Sequence, residues 1–178
     1  MSFLPFRIFL DSNALQALLE HGGSVWENEP YSAAANRSGA SAEDVAALRL
    51  VFAVAERAHF DFALSENTLA EVTDARDSHY WQWALDVLDH WHACAAAPGA
   101  LDGSGAERAA SLDLRRLGYL SEKDGRLIRD AVALECDTFL TIERRLAKNA
   151  AHLGRVTGLT VLRPPELAEH LEPAIGLL

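Results

Sequence analysis

The chain has 178 residues, 49% of them hydrophobic, which is enough for one well-buried core and at this length argues for one domain rather than two. Its formal charge of −10 at pH 7 argues against a protein that grips nucleic acid through an all-round basic surface. No apolar run reaches the ~18 residues of a membrane span, and the N-terminal segment has Arg7 inside its apolar run and no small-residue cleavage site, so a soluble, unexported protein is expected.

The first element is the buried-strand run "RIFL", Arg7 to Leu10, which stops at Asp11. A carboxylate at the end of an interior strand is costly unless something binds it, so Asp11 calls for a partner. A helix through Ala14 to Glu20 is expected to end at Gly22 and Gly23. The polar stretch that follows reads as a long loop or insertion. In "SAEDVAALRLVFAVAERA", Ser41 is a predicted N-cap and Asp44 completes an S-x-x-D box. Phe60 to Leu64 alternates as a strand, and Ser65 caps the helix "ENTLAEVTDA".

The segment "SHYWQWALDVLDHWHAC" is amphipathic, with Trp81, Ala84, Leu85, Leu88 and Trp91 on one face. Trp83 and Val87 lie off that face and suggest a second contact surface for a homodimer or a partner helix. His90 and His92, two apart on a helix, point in different directions. After a Gly/Ser-rich break a helix is expected over Glu107 to Leu117. Ser121 opens "EKDGRLIRDAVALEC", Thr138 to Thr141 is a short strand, and "ERRLAKNAAHL" is a helix closed by Gly154. Leu159 to Leu162 is a last strand, before Pro164 and Pro165 open a final helix. Cys94 and Cys136 read as small core residues, which leaves a reducing cytoplasm as the expected compartment.

Strands separated by helices imply an α/β fold, a three-layer α/β/α sandwich around a central, mainly parallel sheet. It is expected to be one domain over residues 1–178, with insertions at about 24–42 and 76–118. Ligands in such folds bind outside the carboxyl ends of the strands, where Asp11 and Glu143 stand. At about 100° per residue, Asp124 shares a stripe with Leu127, Ile128 and Ala131, whereas Asp130 is about 120° away beside Lys123, on the polar side. Asp124 therefore faces inward, and it also completes a capping box with Ser121; the two roles are compatible. Glu71 is rotated away from the face of Leu69 and Val72, as a surface glutamate would be. From Arg115 to Lys148 the chain carries eight basic and six acidic residues, a local +2 that leaves −12 for the remainder.

The ordered segments "LDSNAL", "ALSENTLAEV", "EKDGRLIRDAVALECDTFLTIERRL" and "LTVLRPPEL" resemble the PIN-domain nucleases. Position by position, the family's four acids fall on Asp11, Glu71, Asp124 and Glu143, its small polar residue after the first acid on Asn13, and its threonine before the fourth acid on Thr141. Glu143 stands where the family more often has aspartate. The resemblance implies a PIN-like fold and a Mg²⁺- or Mn²⁺-dependent endoribonuclease with Asp11, Asp124 and Glu143 as metal ligands. It implies RNA more often than DNA as substrate, particularly single-stranded regions, with Arg126, Arg129, Arg144, Arg145 and Lys148 as candidate phosphate contacts. A toxin restrained by a small antitoxin protein is within its range, and so is a catalytically degenerate module that binds RNA or protein. A cluster of acids suits hard divalent cations, because two carboxylates about 5 Å apart repel by roughly 3 kcal/mol at an effective dielectric of 20.

Overall fold

The computed structural model describes residues 4–34, 36–72 and 78–175. Its strands are β1 (Arg7–Leu10), β2 (Asp61–Ala63), β3 (Thr138–Leu140) and β4 (Thr160–Leu162). All pair in parallel, in the order β2-β1-β3-β4, with Ile8 opposite both Phe62 and Thr138. Parallel strands buried on both faces call for apolar side chains, and Ile8, Phe9 and Leu10, each fully buried, supply them. Ile8, Leu10, Leu140 and Leu162 point to one face, while Phe9, Phe139 and Val161 point to the other.

The first face is covered by α1 (Ser12–Glu20), α2 (Gly22–Trp26), α3 (Ala42–Ala55) and α10 (Pro164–Ile175). The second is covered by α5 (Trp81–Ala96), α6 (Ser104–Ser111), α7 (Glu122–Ala133), α8 (Arg144–Lys148) and α9 (Ala150–Thr157). A shorter helix, α4 (Glu66–Glu71), packs Leu69 beside Leu15, Leu19 and Ala84 at the edge of the sheet. The result is an α/β fold compatible with three α/β/α layers. The sequence-level caps at Ser41, Ser65 and Ser121 are all present as capping boxes.

Several local expectations are corrected. Gly22 and Gly23 do not stop the chain's helical course: His21 ends α1 and the glycines open α2. Packing requires at least one of them, since a Cβ on Gly22 would lie 2.1 Å from the Tyr80 ring. Between α2 and α3 the described residues form a loop, as expected, and it is tied down: the Glu20 carboxylate accepts from the backbone N–H of Arg37 and Ser38, and Asn36 Nδ2 donates to the Ala40 carbonyl. The helix expected over "ENTLAEVTDA" ends at Glu71, and residues 73–77 lie outside the described set. The helix of Glu107 to Leu117 is displaced to α6 and a 3-10 turn, Leu114–Arg116. The helix of "ERRLAKNAAHL" breaks at Asn149, and Gly158, at φ 81°, closes it instead of Gly154.

Trp83 and Val87 are half-buried and line one surface pocket with Phe60, Phe62 and His90, and Trp83 also has partners inside the chain. It packs against Trp26, Phe52 and Phe62, with ring centroids 5.6, 5.5 and 6.1 Å away. Within the expected insertion, Trp91, Ala109 and Leu114 belong to the core of the second face.

α3 and α10 are pinned by one ion pair. Asp44, 1% exposed, accepts from Arg163 Nη2 at 2.7 Å and closes the Ser41 box. Replacing Arg163 by Met leaves that carboxylate buried without its cation. Urea unfolding should then show a loss of about 3 kcal/mol, the lower end for breaking a buried pair because Arg163 keeps some water contact.

Candidate active site

The chain leaves β1 for β2 on one side and later returns to β3 on the other, so the order reverses between the carboxyl ends of β1 and β3, where a parallel sheet opens a crevice. Asp11 lies there, 3% exposed, its N–H bonded to the Leu140 carbonyl at 3.1 Å. Its extended backbone makes it the N-cap of α1, and Oδ1 accepts from the Ala14 N–H at 2.6 Å. Thr141, the residue after β3, is fully buried and serves both neighbours. Its hydroxyl donates to the Asp11 carboxylate and accepts from the Glu143 N–H at 3.0 Å.

Asp124 arrives from the first turn of α7, with 14% of its side chain exposed. Both of its expected roles are present: Oδ2 accepts from the Ser121 N–H at 3.0 Å, and the side chain lies on the stripe of Leu127, Ile128 and Ala131, all buried. Glu143 ends the β3 loop and precedes α8. Between these two acids sits Arg145, whose Nη2 lies 2.9 Å from Asp124 Oδ2 and 2.8 Å from Glu143 Oε1. Burial drives the Asp11 carboxyl up to about 7; the bonds from Thr141 and Ala14 oppose the rise, and the charges of Glu143 and Asp124 add to it. The three carboxyls therefore act on one another.

Glu71 stands one step outside this group. It is the last residue of α4 and, contrary to the expected surface position, is partly buried against α1, where Oε2 accepts from Ser12 Oγ at 3.1 Å. The turn is set by where the short helix ends, which helical phase alone cannot reveal. Oε1 of Glu71 is buried with no hydrogen-bond partner. Asn13 is half-buried in the first turn of α1.

Among the described residues, no three acid, histidine or cysteine side chains already surround one point as ligands. Between Asp124 and Glu143 the positive charge is supplied by the Arg145 guanidinium. The donor set nevertheless fits a hard divalent cation: all oxygen, three mutually repelling carboxyls, a Glu71 oxygen lacking a partner, and no thiol or imidazole.

The basic candidates divide. Arg145 pairs with the acids, and Arg129 Nη2 donates to the Leu112 carbonyl at 3.2 Å, so both already have partners within the chain. Arg144 and Lys148 are exposed on α8, and Arg126 is exposed on α7. Asp130 is not on an open polar side. Its Oδ2 accepts from Ser65 Oγ at 2.6 Å and Asn67 Nδ2 at 2.8 Å, joining α7 to α4. Ser12 and the bridging role of Arg145 escaped the sequence reading, since neither has a local signal. His92 lies 3.5 Å from Glu66, and His90 lies 3.6 Å from Cys94 Sγ.

Between 3.8, its ordinary value, and about 7, Asp11 binds a proton in the folded chain but not in the unfolded one, so stability falls as pH rises through that window, by on the order of 4 kcal/mol in all. In metal-free buffer Asp11→Asn should therefore melt higher than wild type at pH 8, by about 3 °C for each kcal/mol recovered. The gap should close as pH falls towards 4; a gap independent of pH would show that Asp11 carries no such burden.

No protein-family model, curated protein or solved structure matches this chain.

Proposed function

We propose that this chain is a PIN-like ribonuclease that hydrolyses RNA phosphodiester bonds with Mg²⁺ or Mn²⁺. The observation that carries the reading is the convergence of Asp11, Asp124 and Glu143 at the β1/β3 crevice, with a carboxyl as dry as that of Asp11 among them. A dry carboxyl beside two others is an unfavourable arrangement that a divalent cation relieves. When bound, the cation lowers the pKa of an attacking water and offsets charge on the leaving oxygen.

The chain's own residues do the rest. Asp11, Asp124 and Glu143 would hold the cation, and Thr141 fixes two of the three by its paired hydrogen bonds. Glu71, steadied by Ser12, contributes an acceptor at the margin. Arg145 balances charge while the site is metal-free; once Asp124 and Glu143 turn to a cation, its guanidinium can receive a phosphate, which suits its planar donor fork. Exposed Arg144 and Lys148, on the same helix, extend that basic edge.

A second reading has its own observation. Arg145 satisfies Asp124 and Glu143 without any metal, as a catalytically silent RNA- or protein-binding module would require.

Purified protein with Mn²⁺ should cut single-stranded RNA, and Asp11→Asn or Asp124→Asn should lower the rate by at least about 100-fold, since these groups lie closer to the cation than the supporting partners whose loss costs 10–100-fold. Mn²⁺ should also raise Tm, more at pH 8 than at pH 5 because protons compete for the carboxylates. Arg145→Ala should lower metal-free stability yet enlarge the Mn²⁺-induced rise. Absence of both the Tm rise and the cleavage would sink the reading, whereas a Tm rise without turnover would favour the module.

A further inference from the structure

The first two turns of α7 have two working faces. At about 100° per residue, Glu122, Gly125, Arg126 and Arg129 lie between about 100° and 200° from Asp124, on the far side of the helix from the acids. There α7 and the 3-10 turn Leu114–Arg116 enclose a cavity of about 370 Å³. Arg115, Arg126 and Arg129 line it, with Ser121 and Gly125, and Glu122 is its one acid.

Three arginines on one cavity are conspicuous in a chain of net charge −10. Arg129 is anchored through Nη2 to the Leu112 carbonyl, which leaves its remaining N–H groups to other partners. Among the described residues, Arg115 and Arg126 form no ion pair that would explain their placement. Gly125 supports the same conclusion. Glycine is unfavourable inside a helix, and a Cβ there would make only ordinary contacts, 3.9 Å to Arg129 Nη1 and 4.0 Å to Leu114 Cβ, so packing does not demand it. Its absence of side chain keeps the cavity wall open.

We infer that this cavity is a phosphate subsite, taking a phosphate of the RNA strand away from the bond being cut. The inference rests on the ribonuclease reading for its substrate and on the cavity alone for its chemistry. Guanidinium forks suit phosphate oxygens, and the α7 amino end adds its partial positive charge. The cavity and the acidic centre stand back to back across one helix, about 10–12 Å wide with its side chains. A single strand crossing the start of α7 thus places the scissile phosphate at the acids and a second phosphate among the arginines. That arrangement lets a strongly acidic chain hold RNA, and it demands a substrate with charge on that side of the cleaved bond.

The test measures binding of a short single-stranded RNA to the full chain in EDTA, where no cleavage occurs. Arg115→Ala/Arg126→Ala should bind at least about tenfold more weakly, and removing two contacts should flatten the slope of log affinity against log salt by about 1.4. Glu122→Gln should tighten binding. Inorganic phosphate should compete with RNA on wild type and much less on the double variant. Equal RNA affinity and salt slope in the two proteins, equal competition by phosphate, or no phosphate-sensitive RNA binding by wild type would each overturn the subsite. If the arginine dependence holds but Mn²⁺ produces no cleavage, the subsite stands and the ribonuclease reading falls.

Discussion

The carboxyl edge of the sheet depends on one desolvated group. Asp11 is kept from water by the strand it ends and the helix it starts, and only hydrogen bonds from Ala14 and Thr141 offset the loss of hydration. Because it joins β1 to α1 and its N–H reaches Leu140, its backbone is fixed by the pairing of the two central strands, and Ala14 holds its carboxyl against α1. The position is thus rigid, and rigidity is what a site needs to hold unfavourable charges together.

Around that fixed point the other charges arrange themselves by element. Thr141 and Glu143 come from the loop after β3, Asp124 from the first turn of α7, and Arg145 from α8. Arg145 is half-exposed, so its ion pairs are weakened by solvent and can be exchanged at small cost. Asp11 has no such freedom. The site therefore combines one immovable acid with two acids whose ion pairs to Arg145 are exchangeable. α7 adds a second division of labour, with Asp124 on one face and Arg126 and Arg129 on the opposite one.

Much of this was legible in the chain. The run "RIFL", the Ser caps and the alternation of strand and helix lead to a parallel α/β fold, because each rests on short-range rules: side-chain period, capping hydrogen bonds, the fixed φ of proline. Asp124 was placed by helical phase, since its helix is long and strongly two-sided. Glu71 and Asp130 were misplaced by the same reasoning. Glu71 sits at the end of a six-residue helix, and Asp130 meets Ser65 and Asn67 from a helix far away in sequence. Trp83 likewise finds its aromatic partners only when α2, α3 and β2 assemble around it.

The sequence by itself determined the four strands and the alternation of strand and helix, which acids stand at strand ends and which face of α7 turns towards the core, all consequences of local backbone and side-chain periodicity. Tertiary structure decided which charges meet: that Arg145 bridges Asp124 and Glu143, that Thr141 serves Asp11, and that Arg115, Arg126 and Arg129 share a cavity. Those contacts join residues from different elements, and their energies depend on distance and burial, which no local pattern encodes.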